Sequence, residues 1–306
     1  MENILDRLIV GKKNKAKIVL LPYTLLFPAV AVFLIFMFYP LFYTIYLSFL
    51  DWNMISPLKQ FVGWKNYITL LYDPLMPVII KNTLAYIVIL LVLNCIAPYI
   101  LAFILSFVIQ RGRNFYKGAF FLPSVISLVV GSILYLWILN PVGGPIAIIA
   151  DFVGITIPIW TKTQGMVIVV LSIITTWKIF GYNFIVVFGG VTGVPQEIIE
   201  AARMDNVPLH RIFWDIVLPL SSATGVYIFI MTIVQGLQYV FTPIKVVTQG
   251  GPDNASSNVI YNVYQEGFLL YHTGYASAFS LAAMLIFIGL LVIEFKYVEK
   301  GIYYEN

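Results

Sequence analysis

Long apolar runs separated by short polar segments divide this chain, and six runs are long enough to cross a bilayer. A helix needs about 20 mostly apolar residues to span the hydrocarbon core. The first run, within Ile18 to Leu50, carries no charged residue. The second lies within Asn82 to Gln110, and the third runs from near Gly118 to near Leu139. The fourth extends from about Gly165 to Gly190 and is interrupted by Lys178. The fifth lies within Ile216 to Ile244 and the sixth runs from about Ala276 to Ile293. Barrel strands would show short alternating segments instead of continuous runs. The pattern therefore predicts an all-α integral membrane fold with six transmembrane helices.

Composition agrees with the pattern. The 306 residues are 60% hydrophobic and 10% charged, whereas soluble domains carry about 25% charged residues. Five basic residues (Arg7, Lys12, Lys13, Lys15 and Lys17) precede the first run, which is too long for a secretory signal and is read as a retained helix. With the N-terminus in the cytoplasm, twelve Lys and Arg fall inside and five outside. That bias places both termini inside. The expected organisation is a cytoplasmic segment at 1–17, a six-span domain at 18–298 and a cytoplasmic tail at 299–306. The net charge of +4 is scattered, so nucleic-acid binding has no support. The single cysteine, Cys95, lies in an apolar run and is read as helix packing.

One polar stretch stands out. Residues 193–219 fall on the cytoplasmic side between spans four and five, and hold "VPQEIIEAARMDNVPLHRIFWDIVLP". Pro195 suits a first helical position, where its missing N–H costs nothing. Glu197 and Glu200 then complement the helix N-terminus, and Asn206 suits a left-handed cap. Pro208 can start a second short helix, and Pro219 marks the approach to span five. The expectation is helix, tight turn, helix, outside the bilayer. Small and apolar residues between the charges suit docking into a groove on another protein, against the plainer reading of a solvated loop.

Several chemistries find no residues. No G-x-x-x-x-G-K-[ST] phosphate loop occurs. The two histidines, His210 and His272, are expected on opposite sides, which leaves no metal cluster and no Ser-His-Asp arrangement. The predicted spans hold no Asp or Glu, which argues against a carrier coupled to an ion gradient. Lys178 is the one charge well inside a span. Such residues are often functional, although a snorkelling or pore-facing structural lysine is the competing use.

The stretch "EAARMDNVPLHRIFWDIVLP" resembles the EAA loop of the membrane subunits of ABC importers. Glu200, Ala201, Ala202, Asp205, Phe213, Ile216, Leu218 and Pro219 fit that pattern, with Asn206 where the family usually has glycine. Further pieces in the same order are similar to the carbohydrate-uptake, maltose-permease-like branch: "YPLFYTIYLSF", "FVGWKNY", Asn82-Thr83, "FFLPSVIS", "TQGGP" and "GYASAFS". The resemblance implies a type I ABC importer fold in a bacterial or archaeal cell membrane, with residues 193–219 as a coupling helix. By that resemblance Glu200 makes a polar contact with a cytoplasmic ATPase, Ala201 and Ala202 allow close approach, and Asp205 and Asn206 shape the turn. The resemblance implies that Tyr182 and the segment holding Gln235, Gln238 and Tyr239 line the substrate pathway, and Trp177, Lys178 and Asn183 beside Tyr182 are expected there too; aromatic faces and amides suit sugar rings and hydroxyls. Each of these residues has helix packing as its plainer use. Gly250, Gly251 and Pro252 contact an extracytoplasmic solute-binding protein, or form a simple turn. The implied partners are a second homologous permease, two ATPase subunits (identical or different), the binding protein and membrane lipid. ATP and Mg are expected on the ATPases and no cofactor on this chain. The cargo expected is a sugar or oligosaccharide, with glycerol-3-phosphate or another polyol-like or acidic solute as the alternative.

Overall fold

The computed structural model describes residues 22–109 and 111–298. The expected segments 1–17 and 299–306 lie outside the described residues. In chain order the first helices are α1 Pro22–Leu47, α2 Lys65–Leu71, α3 Met76–Val108, α4 Arg113–Val125, α5 Leu128–Ile138 and α6 Pro145–Phe152. They are followed by α7 Met166–Thr192, α8 Gln196–Met204, α9 at 209–220, α10 Ser222–Thr248, α11 at 259–269 and α12 Thr273–Val298. A short antiparallel hairpin, β1 Leu50–Asp51 and β2 Gln60–Phe61, pairs Leu50 with Phe61.

Five of these helices (α1, α3, α7, α10 and α12) are long and apolar enough to cross a membrane. The third expected span is not one helix: α4 and α5 meet at 100°. Pro123 opens the last turn of α4, and Ile126 and Ser127 are extended, with ψ of 142° and 132°. No charged residue falls between Gly118 and Leu139, so the apolar pattern alone reads across the elbow as one span. The second span begins at Met76, which puts Lys81 inside the helix and not in a loop.

Prolines shape the long helices in a second way. The wide turns Leu34–Phe38, Val92–Ile96 and Ile212–Val217 sit just before Pro40, Pro98 and Pro219. A proline ring collides with the carbonyl four residues back and offers it no N–H. The preceding turn opens to relieve that clash.

α7 is the centre of the bundle and packs against α3, α4, α5 and α10. At its C-terminal end one apolar cluster joins Tyr99 and Phe103 of α3, Phe184 and Val187 of α7, Ile199 and Ala202 of α8, and Ile212 of α9. At its other end a second cluster joins Tyr86 and Leu90, Leu171 and Ile174, Leu237 and Val240, and Tyr261. Gly181 lets the backbone of α4 come directly against α7: a Cβ there would lie 2.2 Å from the Phe120 carbonyl oxygen. Close approach of this kind is how small residues hold membrane helices together. The first part of α1 stands outside the bundle, where none of its residues from 22 to 38 is buried, while Tyr39–Leu47 packs against α12.

Candidate functional site

A cavity of about 370 Å³ opens where the elbow faces α7 and α10. Phe121 and Ser124 line it from α4, Lys178, Ile179 and Tyr182 from α7, and Gln235 and Tyr239 from α10. Lys178 and Tyr182 share one face of α7, and Gln235 and Tyr239 one face of α10, because positions four apart lie together on a helix. Four of the residues expected in a substrate pathway (Lys178, Tyr182, Gln235 and Tyr239) are thus brought together. The Tyr182 hydroxyl lies 3.3 Å from that of Tyr227.

Lys178 is held by the elbow. Its ammonium donates to the Ser124 carbonyl, and to the Ile126 carbonyl at 2.7 Å. The bend between α4 and α5 frees those carbonyls from helical partners, and a cation there also suits the C-terminal end of α4. The intramembrane charge is therefore paired with backbone dipoles.

The other three expected pathway residues do not line this cavity. Asn183 is 2% exposed and donates to the Asn94 carbonyl at 2.9 Å and to the Thr232 hydroxyl at 3.1 Å. Asn94 in turn donates to the Thr176 hydroxyl at 2.8 Å. Together these bonds clamp α3, α7 and α10. Trp177 packs its ring edge against Tyr135, 5.6 Å between centroids, and lies over Gly131. Gln238 lines a separate, mostly apolar groove with Leu237, Val263 and Phe287. Phe121, Ser124 and Ile179 were not singled out from the sequence. Only the "FFLPSVIS" resemblance and the helix-breaking Pro123 pointed near the first two.

The polar stretch forms α8 as expected, with one change of register: Pro195 caps the helix, which begins at Gln196. Asn206 is left-handed, φ 56°, and Pro208 caps the start of α9. The helix has two faces. Ile199 and Ala202 are buried in the chain's own core, so Ala202 is not available for an outside contact. Gln196, Glu197, Glu200, Ala201, Met204, Asp205 and Asn206 are exposed. Glu200 accepts a hydrogen bond from Gln196 at 2.6 Å.

At the opposite end of the bundle, residues 249–258 fold down onto α3. Asn82 donates to the carbonyls of Asn254 and Ser257 at 2.9 and 3.1 Å, and Tyr86 donates to that of Ser256 at 2.9 Å. The Thr83 hydroxyl accepts from the Val259 N–H at 3.1 Å. Asn82 and Thr83, one of the pieces that carried the family resemblance, are the anchors of this loop. Gly250, φ 85°, is buried against Tyr261, which removes it from any exposed contact, while Gly251 and Pro252 are half-buried. Gln249 and Asp253 form the exposed part. At the same end Lys59 donates to the Tyr43 hydroxyl at 3.0 Å, a bond that raises the lysine pKa above its usual value. Among the described residues, no three His, Cys, Asp or Glu are grouped to hold a metal.

Residues 111–298 match the family described as "Binding-protein-dependent transport system inner membrane component". The chain is 32% identical over 287 residues to the sn-glycerol-3-phosphate transport system permease protein UgpA of Brucella abortus biovar 1 (strain 9-941), covering 94% of this chain and 97% of the relative. It is 30% identical over 291 residues to the probable ABC transporter permease protein YurN of Bacillus subtilis (strain 168), covering 94% and 98%. Among solved structures, a chain of a bacterial ABC transporter involved in the import of the acidic polysaccharide alginate superposes with a TM-score of 0.81 at 20% identity, covering 95% of this chain and 99% of that one. A second, the bacterial alginate ABC transporter in complex with an alginate pentasaccharide-bound periplasmic protein, gives 0.80 at 20% identity, covering 92% and 94%. At that identity the likeness is one of fold.

Proposed function

The chain belongs to the family of binding-protein-dependent transport system inner membrane components, and from that premise we propose that its cargo is a neutral sugar or oligosaccharide. The chain is a multi-pass permease subunit of an ABC importer. The observation that carries the sugar reading is the cavity between elbow, α7 and α10. Its wall offers the rings of Phe121, Tyr182 and Tyr239 and the amide of Gln235, while the Lys178 ammonium is engaged by two carbonyls. Aromatic faces with amide and hydroxyl groups suit a ring of hydroxyls. A cation already paired adds little for an anion. Partners supplement this wall, since one chain lines one side of a path. They are a second homologous permease, a pair of ATPases that bind ATP and Mg, and a solute-binding protein.

In this reading α8 faces the cytoplasm and receives an ATPase on its exposed side, with Glu200 at the centre. The termini share that side, as the excess of basic residues there implies. Residues 249–258 then face outward, where a loaded binding protein arrives. ATP-driven closure of the ATPases moves α8, and the cavity opens alternately to the two sides.

A second reading, an anionic polyol, is favoured by the relatives named for sn-glycerol-3-phosphate. An ammonium carries three donors, and the third N–H of Lys178 would then serve the anion. ATP-driven uptake into proteoliposomes containing the full complex separates the two. Neutral oligosaccharides should be taken up, and Tyr182→Ala and Tyr239→Ala should each lower the rate roughly tenfold, the scale of one lost aromatic contact. Gln238→Ala should leave it unchanged. Uptake of glycerol-3-phosphate but not of sugars would replace the first reading with the second. Absence of ATP-dependent uptake for both would sink them together.

A further inference from the structure

The end of α3 nearest α8 is held by two arginines from other elements. Its last turn, Ile104–Val108, is wide, and helix C-terminal carbonyls lack intrahelical partners. Arg113, in the first turn of α4, donates from Nη2 to the Ser106 carbonyl at 2.5 Å and from Nε to that of Ile109 at 3.4 Å. Arg203, on α8, donates from Nη2 to the Phe107 carbonyl. Positive charge at a helix C-terminus is favourable, and charged donors make the stronger hydrogen bonds.

Neutralising this helix end does not require both groups. Arg113 is next to it in the chain and already contacts two carbonyls. Arg203 reaches it from 96 residues away and from α8, whose exposed face is the one read as docking the ATPase. The rest of the α8 attachment is apolar, through Ile199 and Ala202. Apolar contact is non-directional and tolerates sliding. A guanidinium bonded to a backbone carbonyl at the tip of α3 is directional.

We propose that Arg203 is the strut that carries displacement of α8 into α3. It is a positioning residue: it acts through the Phe107 carbonyl and touches no cargo. α3 is the helix best placed to pass such a movement on. In its middle Asn94 is bonded to Thr176 and Asn183 of α7, beside the cavity residues Lys178 and Tyr182. At its far end Asn82 and Tyr86 hold residues 254–257. One continuous helix thus joins the docking element, the cavity wall and the opposite loop. The inference rests on the reading that α8 receives the ATPase.

The test uses the whole complex in proteoliposomes and compares three quantities: ATPase recovered with the permease, basal hydrolysis, and the stimulation of hydrolysis and uptake by loaded binding protein. Arg203→Ala should keep the first two and lower stimulation and uptake roughly tenfold, the scale of one charge-assisted hydrogen bond. Arg203→Lys, which keeps a cationic donor, should restore part of the loss. Arg113→Ala removes the other cap of the same helix end and should leave stimulation largely intact. Unchanged stimulation in Arg203→Ala overturns the strut. So does an equal loss in Arg113→Ala, which would assign the effect to neutralising the helix end. Loss of ATPase from the Arg203→Ala complex would make Arg203 a docking residue and also overturns it. If Arg203→Ala does not accumulate in the membrane, Arg203→Gln is read by the same ratio, and failure of both assigns Arg203 to folding. The docking reading has a separate check: Glu200→Ala should lose ATPase recovery with the chain still in the membrane. Wild-type chain that recovers no ATPase removes that reading itself.

Discussion

Replacing Gly181 by alanine should release the elbow from α7. The added Cβ would sit 2.2 Å from the Phe120 carbonyl oxygen and 2.7 Å from Phe121 Cα, where ordinary contact begins at 3.4 Å. Both atoms are backbone, so no side-chain rotation relieves the clash, and α4 must retreat by about 1.2 Å. The Lys178 bond to the Ile126 carbonyl, now 2.7 Å, would stretch to about 3.9 Å, beyond hydrogen-bonding distance. Overpacking costs about 1 to 3 kcal/mol, and losing a hydrogen bond from the half-buried Lys178 ammonium adds about 1.5 to 3 kcal/mol. The docked elbow should therefore lose roughly 2.5 to 6 kcal/mol. Thermal melting of the purified complex in detergent and ATP-driven uptake are the assays. The expected result is normal membrane insertion, a lower melting temperature and uptake reduced more than tenfold. Gly131→Ala is the comparison, since the three atoms nearest its Cβ all belong to the Trp177 ring, the first at 2.6 Å, and a ring can shift. Wild-type uptake and melting in Gly181→Ala would refute the claim that this contact holds the cavity wall in place.

Substitutions at two other positions probe the ends of the bundle. Asn206→Gly should leave melting and uptake unchanged, because the residue is already left-handed at φ 56° and glycine adopts that backbone freely. Asn206→Val should cost about 1 to 2 kcal/mol, and a melting curve matching wild type would show that the turn relaxes. Asn82→Ala strips a donor from the Asn254 and Ser257 carbonyls and should cost about 1 to 3 kcal/mol locally. Protease cleavage within 249–258 in membrane vesicles should then accelerate; an unchanged rate would mean that Tyr86 and Thr83 suffice to hold the loop.

The amino-acid sequence alone determined the number of apolar runs, the helix–turn–helix of 193–219 and its left-handed Asn206. These are local properties. A run of apolar residues prefers lipid whatever its neighbours, and a backbone turn is decided within a few residues. The elbow at Ile126 escaped this reading because no charged residue interrupts the run from Gly118 to Leu139, and the Lys178 that covers its carbonyls lies 52 residues on. The cavity was half legible for a related reason. Tyr182 and Asn183 are neighbours with similar credentials for a sugar site, yet about 100° of helical rotation separates them, so one lines the cavity and the other clamps α3 and α10. The neighbours Ala201, exposed, and Ala202, buried, divide the same way, and Gln235 and Gln238, three apart, line two different cavities. In a chain that is 16% aromatic and apolar on all faces, the sequence does not mark which side of a helix meets protein, lipid or an open path. Only the packing of α3, α4, α7 and α10 against one another decided that, because facing is a property of pairs of helices and hydropathy is a property of single residues.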